Sequence, residues 1–220
     1  IPASMLPLRK YTVATNIQGE TKLTVSDTFP INILYSVGLR QDVRTALENG
    51  QIIADYAGQP ELQAAAALMP LYDDAPLPTS LRAAGYGADG QGAVLTPPVL
   101  RGDYTQLRHF LRLALRWATE RYASYHIWAV QPLTIDDLPS CEDLCAQYLS
   151  AGLTLRGLRP MVGTEGMLIF SARGLPHWQE PFRRLHLDDP ALSRVLERGY
   201  AAADFGWGKQ GMELLLRASG

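Results

Sequence analysis

The chain has few cysteines, no long apolar run and no tract of basic residues. Its only cysteines, Cys141 and Cys145, lie four residues apart in a predicted helix. That spacing is awkward for a disulfide and supplies too few ligands for a zinc site, so we expect two partly buried thiols and no metal. No apolar segment approaches the ~18 residues that a transmembrane helix requires. Residues 1–11 lack the charged start and the small-residue cleavage pattern of a secretory signal.

Charge is nearly balanced along the chain. There are 20 Lys and Arg residues against 22 Asp and Glu residues, which gives a formal net charge of −2. The phosphate attraction that dominates nucleic-acid binding therefore has no obvious source. With 47% hydrophobic and 19% charged residues among 220, the composition is that of an ordinary globular protein. We expect a cytoplasmic protein that binds neither nucleic acid nor a membrane.

The first part of the chain alternates strand-like and helix-like patterns. Residues 11–17 and 21–25 alternate apolar and polar side chains around a Gln-Gly-Glu turn, which predicts a hairpin. Residues 29–48 have helical spacing interrupted by Gly38, which predicts two short helices. Segments 51–56 and 62–71 are predicted as adjacent strands, although the alanine run at 64–67 would also suit a helix. Residues 76–92 form a glycine-rich loop that matches G-x-G-x-x-G by letter only, because no helix follows it.

A strand, a turn and an amphipathic helix follow between residues 93 and 118. The strand, 93–96, is stopped by Pro97 and Pro98, which cannot donate ladder hydrogen bonds. After the turn at Arg101 and Gly102, apolar residues recur every three or four positions, so one helix face packs on a sheet. Those residues are Leu107, Phe110, Leu111, Ala114, Trp117 and Ala118. A helix N-terminus that follows such a turn is a suitable site for a phosphate group.

A second strand and a tyrosine-bearing helix complete this central region. The strand is predicted at 124–132, a polar crossover at 134–139 and a helix at 142–151. The helix carries Tyr148 and is followed by Gly152 and Leu153. Segments 155–162 and 166–172 then predict a hairpin.

The stretch from Val94 to Leu153 resembles the acetyl-CoA-binding half of the GCN5-related N-acetyltransferases, the GNAT superfamily. The resemblance rests on the P-x-x-R-G turn at 98–102 and the Y-x-x-x-G spacing of Tyr148 and Gly152. It implies an α/β fold with a mixed, mostly antiparallel central sheet flanked by helices. Residues 1–175 would form the GNAT-like domain, and residues 176–220 a C-terminal extension packed on it.

The resemblance also implies an activity and a site. An acyl group would pass from acetyl-CoA or another acyl-CoA to a small-molecule or peptide amine. Tyr148 would donate a proton to the departing CoA thiolate, although an aromatic helix residue of this kind equally suits a core. The implied cofactor-binding residues are Leu95, Thr96, Arg101, Gly102, Tyr104, Thr105, Gln106 and Arg108. Tyr104 and Gln106 stand where the family has glycines, so a catalytically inactive ligand-binding or interaction protein is the alternative.

The remaining assignments are open. Arg108, Arg112 and Arg116 form a stripe that is interpreted as a solvated helix face, with a contact from Arg108 to a CoA phosphate as the alternative. A general base would be Asp73, Asp74 or His126, each of which also has a structural interpretation. The apolar residues beyond 176 have helix-like spacing around Leu185, Leu192 and Leu196, followed by a strand at 212–216. This tail could shape a substrate cleft or a homodimer contact.

Overall fold

A computed structural model describes residues 10–15, 21–26, 52–55, 63–71, 92–95, 97–100, 105–121, 126–160, 165–173 and 182–218. The helices predicted over 29–48 and most of the loop predicted over 76–92 lie outside these residues. Strands β1 (Lys10–Thr15) and β2 (Thr21–Ser26) form an antiparallel hairpin, which confirms the sequence prediction for this part of the chain.

In the part of the chain that the structure describes, ten strands form one mixed sheet with three helices packed against it. The strands are β3 (Ile52–Asp55), β4 (Ala64–Leu71), β5 (Gly92–Leu95), β6 (Val99–Leu100), β7 (His126–Thr134), β8 (Thr154–Pro160), β9 (Glu165–Ser171), β10 (Arg183–His186), β11 (Tyr200–Gly208) and β12 (Gly211–Ala218). The helices are α1 (Leu107–Arg121), α2 (Leu138–Ser150) and α3 (Leu192–Glu197). The predicted α/β class with a mixed sheet is confirmed.

The strand order in the sheet is β10-β12-β11-β8-β9-β7-β5-β4-β3, with β6 also paired to β4. Among the described strands, β5 and β7 form the one parallel pair, and the other pairs are antiparallel. A parallel pair needs a crossover connection, and α1 lies between β5 and β7 in the chain. The alanine run in β4 is extended, and Ala64, Ala66 and Leu68 are buried at every second position, as a strand requires.

Helices α1 and α2 pack on the same face of the sheet. The predicted apolar stripe of α1 is buried, except that Trp117 is half-buried. It shares one hydrophobic core with Leu95, Ala129 and Phe170 of the sheet and with Tyr148 of α2. Alternate residues of the same strands, including Trp128 and Val130, are buried on the opposite face.

Two predicted boundaries need correction. Helix α2 begins at Leu138, four residues before the predicted start at Glu142. The polar crossover predicted at 134–139 instead holds the end of β7, a short 3₁₀ turn and the first residues of α2. Pro139 lies in the first turn of α2, where proline is tolerated because its missing N–H would have no intrahelical acceptor.

The C-terminal segment continues the sheet rather than forming a predominantly helical layer. Leu185 lies in β10, so the predicted helical periodicity is wrong there and holds only over α3. Strand β11 pairs with β8 at Ala202 and Leu155, and β12 joins β11 to β10. Pairing with a neighbouring strand decided the conformation of residues whose spacing alone was ambiguous. Among the described residues, no helix is long and apolar enough to span a membrane.

Candidate functional site

Strands β5 and β7 separate part of the way along β7. They pair in register from Gly92 with His126 to Leu95 with Ala129, whereas β7 continues to Thr134. On its other side β5 pairs with β4, and this pairing resumes beyond Leu95 in β6, where Val99 lies opposite Ala65. Three positions separate residues 95 and 99, but two separate their β4 partners, residues 68 and 65. This one-residue mismatch in register is what a β-bulge produces, and a bulged strand bends locally.

The separation follows from a missing backbone donor. The N–H of Ala172 donates to the carbonyl of Ile127 at 2.9 Å, so the backbone groups of Ile127 face β9. Because these directions alternate along a strand, the groups of Trp128 and Val130 face β5. In a continued parallel ladder, the Val130 carbonyl would accept from the N–H of position 97. Position 97 is Pro97, which has no N–H, so the ladder ends there.

The hydroxyl of Tyr148 supplies a donor in place of that missing N–H. It donates to the Val130 carbonyl at 3.3 Å, at the first β7 residue beyond the paired segment. The ring is 1% exposed and packs against Phe170, with the ring centroids 4.8 Å apart. Burial raises the pKa of Tyr148 well above its usual value. The side chain is therefore a neutral phenol that can donate a hydrogen bond or a proton.

The end of α2 fixes the position of Tyr148. Gly152 has φ +99°, the left-handed conformation that glycine adopts without strain. The N–H of Leu153 donates to the Tyr148 carbonyl at 3.2 Å, and the N–H of Gly152 donates to the Leu149 carbonyl at 3.0 Å. These two bonds form the glycine-terminated helix end known as the Schellman motif. The spacing of four between Tyr148 and Gly152 therefore has a direct structural cause.

The start of α2 covers the far end of the unpaired stretch of β7. The Cys141 sulfur lies 3.4 Å from the Thr134 nitrogen and 3.9 Å from the Pro132 oxygen. Gln131, in the middle of this stretch, donates from Nε2 to the Cys141 carbonyl at 3.2 Å. Helix α2 thus runs back along β7, from Thr134 at its first turns to Val130 at its end.

Both cysteines are free and are more fully buried than the sequence predicted. Burial raises the pKa of the Cys141 thiol and, more strongly, that of the Cys145 thiol. Thiols with raised pKa values remain protonated at neutral pH and are poor nucleophiles. Neither cysteine is therefore a candidate for covalent catalysis. The described residues contain no group of three or more His, Cys, Asp or Glu side chains that could hold a metal ion.

The N-terminus of α1 is open to solvent. The carbonyl of Gln106 accepts the N–H of Phe110 at 3.0 Å, and the side chains of Thr105, Gln106 and Arg108 are exposed. No acidic residue stands in the first turn, although carboxylates are favoured at the positive end of a helix dipole. Leu95 is fully buried, so it can offer a ligand only backbone groups. The other predicted cofactor residues, Thr96, Arg101, Gly102 and Tyr104, lie outside the described part of the chain.

The remaining arginines of the α1 stripe make protein contacts. Arg112 donates from a guanidinium nitrogen to the Ser150 carbonyl at 3.1 Å and so satisfies a free carbonyl at the end of α2. Arg116 pairs with Glu120 on the same helix at 2.8 Å, and both side chains are mostly exposed. Such an exposed pair contributes little to stability. These contacts agree with the interpretation of a solvated helix face.

The sequence also suggested His126 as a general base, and the structure places it away from Tyr148. Its Nε2 lies 2.7 Å from the Ser171 hydroxyl, and its ring stacks on Trp128 at 4.2 Å between centroids. It is four residues before Val130 along β7, a distance of about 13 Å at ~3.3 Å per residue. Asp73 and Asp74, the other suggested bases, lie outside the described residues.

Sequence reasoning missed Gln131 and Ser171 because single polar residues within apolar strands carry no spacing signal. The only available indication was their placement in segments predicted to be buried, where a polar side chain requires a partner. Comparison with models of known families, with curated proteins and with solved structures found no match to this chain. The function must therefore be inferred from the geometry around β5, β7 and α2.

Proposed function

We propose that this protein is an N-acyltransferase of the GNAT type, which transfers an acetyl or other acyl group from acyl-CoA to an amine. The observation that carries the proposal is the separation of β5 from β7 beyond Leu95, with the Tyr148 hydroxyl at the point where they part. In GNAT folds the corresponding strand carries a bulge and splays from its neighbour, and the cofactor arm enters that gap. The topology and the bulge between residues 95 and 99 support this comparison.

The proposed binding site uses the gap for the arm of the cofactor and the N-terminus of α1 for its phosphates. A helix with Arg108 and no acidic residue in its first turn favours an anion at that end. Residues around the bulge would offer backbone groups to the arm, and residues of the turn would contact the pyrophosphate. The former are Leu95 and Thr96, and the latter are Arg101, Gly102, Tyr104, Thr105, Gln106 and Arg108.

The proposed reaction is direct attack of the amine nitrogen on the thioester carbonyl. A C–N bond forms, the C–S bond breaks, and the thiolate takes the Tyr148 proton. The phenolate then recovers the proton that the acylated nitrogen loses, so the products are an amide and free CoA thiol. The raised pKa of Tyr148 keeps the phenol protonated until the thiolate departs. In the described structure the Tyr148 hydroxyl donates its single proton to the Val130 carbonyl, so the hydroxyl must rotate toward the sulfur before it can donate there.

The second candidate function is a GNAT-like protein that binds an acyl-CoA or another small ligand without chemistry. The commitment of the Tyr148 hydroxyl to the Val130 carbonyl favours it, because this bond gives the tyrosine a structural role. The position of His126, four residues before Val130 along β7, is a further reason, because it places this candidate base away from the Tyr148 hydroxyl. Tyr104 and Gln106 in place of glycines are compatible with altered binding of a pyrophosphate.

Calorimetric titration of the purified protein with acetyl-CoA tests both candidates. We expect saturable binding and a rise in melting temperature, because a ligand that binds only the folded state stabilises it. No heat and no thermal shift at millimolar acetyl-CoA would refute the enzyme and the CoA-binding alternative together. If acetyl-CoA binds, release of CoA thiol in the presence of a panel of amines separates the enzyme from the binder.

The role of Tyr148 needs its own comparison. We expect Tyr148→Phe to lower turnover by about a hundredfold, the lower end for loss of a general acid, while acetyl-CoA still binds. Tyr200→Phe is a matched control, because Tyr200 lies in β11 and its ring packs against Arg183, away from the gap. Unchanged turnover in Tyr148→Phe removes the tyrosine from the mechanism.

A further inference from the structure

A buried amide lies beside the gap between β5 and β7. Gln131 is 2% exposed, and its Nε2 donates to the Cys141 carbonyl at 3.2 Å. Its Oε1 is fully enclosed and accepts no hydrogen bond from any described residue. Buried polar atoms almost always have a partner. An unpaired carbonyl oxygen at this position therefore calls for an explanation.

The orientation of the amide is fixed by its partner. A backbone carbonyl can only accept, so the nitrogen of Gln131 must be the atom that faces Cys141. The oxygen consequently points away from the first turns of α2. Exchanging the two amide atoms would bring two oxygens together and leave the donor unpaired as well. In either orientation of the amide at least one polar atom of Gln131 is unpaired, and the observed orientation leaves only Oε1 without a partner.

The position of Gln131 relates it to the gap. It follows Val130, the first β7 residue without a β5 partner, and its side chain lies on the face covered by α2. On either side of Gln131, the Tyr148 hydroxyl contacts the backbone of Val130 and the Cys141 sulfur contacts the backbone of Pro132. A ligand that enters between β5 and β7 on the helix face would reach this oxygen once it displaced the side chains that now enclose it.

We propose that Gln131 Oε1 accepts a hydrogen bond from an amide N–H of the arm of acyl-CoA and so sets the depth at which the thioester stops. The inference rests on the proposed function, because the arm supplies the donor. Gln131 lies against the Cys141 backbone, which holds the amide at the first turns of α2.

The test compares ligands with and without the arm. Wild type and Gln131→Met, which retains length without the amide, are titrated with CoA and with 3′-phospho-ADP, which lacks the arm. We expect about tenfold weaker CoA binding in Gln131→Met and equal binding of 3′-phospho-ADP. Loss of one neutral hydrogen bond accounts for a change of that size. Equal CoA binding by the two proteins overturns the inference and leaves the proposed function intact, whereas absence of CoA binding by wild type overturns both.

A ligand-side substitution keeps the test decisive if Gln131→Met is poorly folded. CoA analogues in which one amide N–H of the arm is replaced by an ester oxygen remove the donor without touching the protein. We expect one of the two analogues to bind wild type about tenfold more weakly than CoA. If both analogues bind as tightly as CoA does, the oxygen of Gln131 is a structural feature only and the inference is wrong.

Discussion

Replacement of Tyr148 by Phe removes one hydroxyl group and leaves the packing of the ring unchanged. The ring keeps its contact with Phe170, whose centroid is 4.8 Å away, so no large cavity forms. What is lost is the hydrogen bond to the Val130 carbonyl. That carbonyl has no alternative ladder donor, because position 97 is proline. The substitution therefore leaves a buried acceptor unpaired.

The magnitude follows from this geometry. Leaving a buried acceptor unsatisfied costs about 1–3 kcal/mol. The bond from Tyr148 is 3.3 Å long, beyond the usual 2.5–3.0 Å of O–H···O bonds, so the lower half of that range applies. We expect a loss of about 1–2 kcal/mol in the free energy of unfolding. For a chain of this length, that loss lowers the melting temperature by about 2–8 °C.

Thermal and urea-induced unfolding, followed by circular dichroism, measure this change. Tyr200→Phe is the control, because the Tyr200 hydroxyl makes no hydrogen bond to the described residues and the ring is only half-buried. We expect the control to stay within about 0.5 kcal/mol of wild type, as surface substitutions do. A Tyr148→Phe protein as stable as the control would refute the argument that the hydroxyl replaces the missing N–H of position 97.

Three further predictions concern pH, the C-terminal hairpin and the ligand. Because the buried Tyr148 has a raised pKa, the folded state keeps this proton above pH 10, where the unfolded state loses it. Above pH 10 the free energy of unfolding, measured by urea titration, should therefore fall by about 1.4 kcal/mol per pH unit more in wild type than in Tyr148→Phe. Parallel pH profiles of the two proteins would contradict this. Gly211 has φ +118°, and an added Cβ would lie 2.6 Å from the Glu142 carboxylate, so Gly211→Ala should lower the free energy of unfolding by about 1–3 kcal/mol. The control, Gly206→Ala, has open space around the added Cβ and should cost under about 1 kcal/mol. Similar losses in the two variants would argue against the close contact at Gly211. Arg108→Glu should weaken acetyl-CoA binding by about tenfold in calorimetry, because a charge-assisted bond to a phosphate is lost. The melting temperature of the free protein should not change, because the Arg108 side chain is exposed. Unchanged affinity would remove Arg108 from the site.

The central strands and helices could be predicted because local signals agreed with one another. The apolar stripe of α1 has period 3.6, and Gly152 ends α2 in a conformation that favours glycine. Such signals are encoded within a few residues of the element that they specify. Their boundaries were less secure, as the early start of α2 at Leu138 shows. A proline can stand in the first turn of a helix or just beyond its end, so the residue alone does not indicate which boundary it marks.

Strands β10 and β11 could not be predicted in the same way because they depend on distant partners, whereas β12 confirms the strand predicted at 212–216. Leu185 in β10 lies opposite Leu214 in β12, and Ala202 in β11 lies opposite Leu155 in β8. The hairpin of β11 and β12 is also tied to α2, since the Met212 N–H donates to the buried Glu142 carboxylate at 3.1 Å. No spacing rule within the segment reveals a bond between residues 70 positions apart.

Pro97 and Tyr148 act together on the Val130 carbonyl, so their presence in the sequence does not by itself indicate an enzyme. The proline ends the parallel ladder, and the tyrosine satisfies the carbonyl that the proline leaves without a donor. The two residues therefore stabilise the fold together, whether or not the gap between β5 and β7 holds a cofactor. A chain that had lost its chemistry would still benefit from keeping both. Evidence for ligand binding must come instead from groups that the fold does not itself use, and the unpaired oxygen of Gln131 is such a group. Its response to a ligand with an amide arm distinguishes a cleft that binds acyl-CoA from a sheet that retains only its architecture.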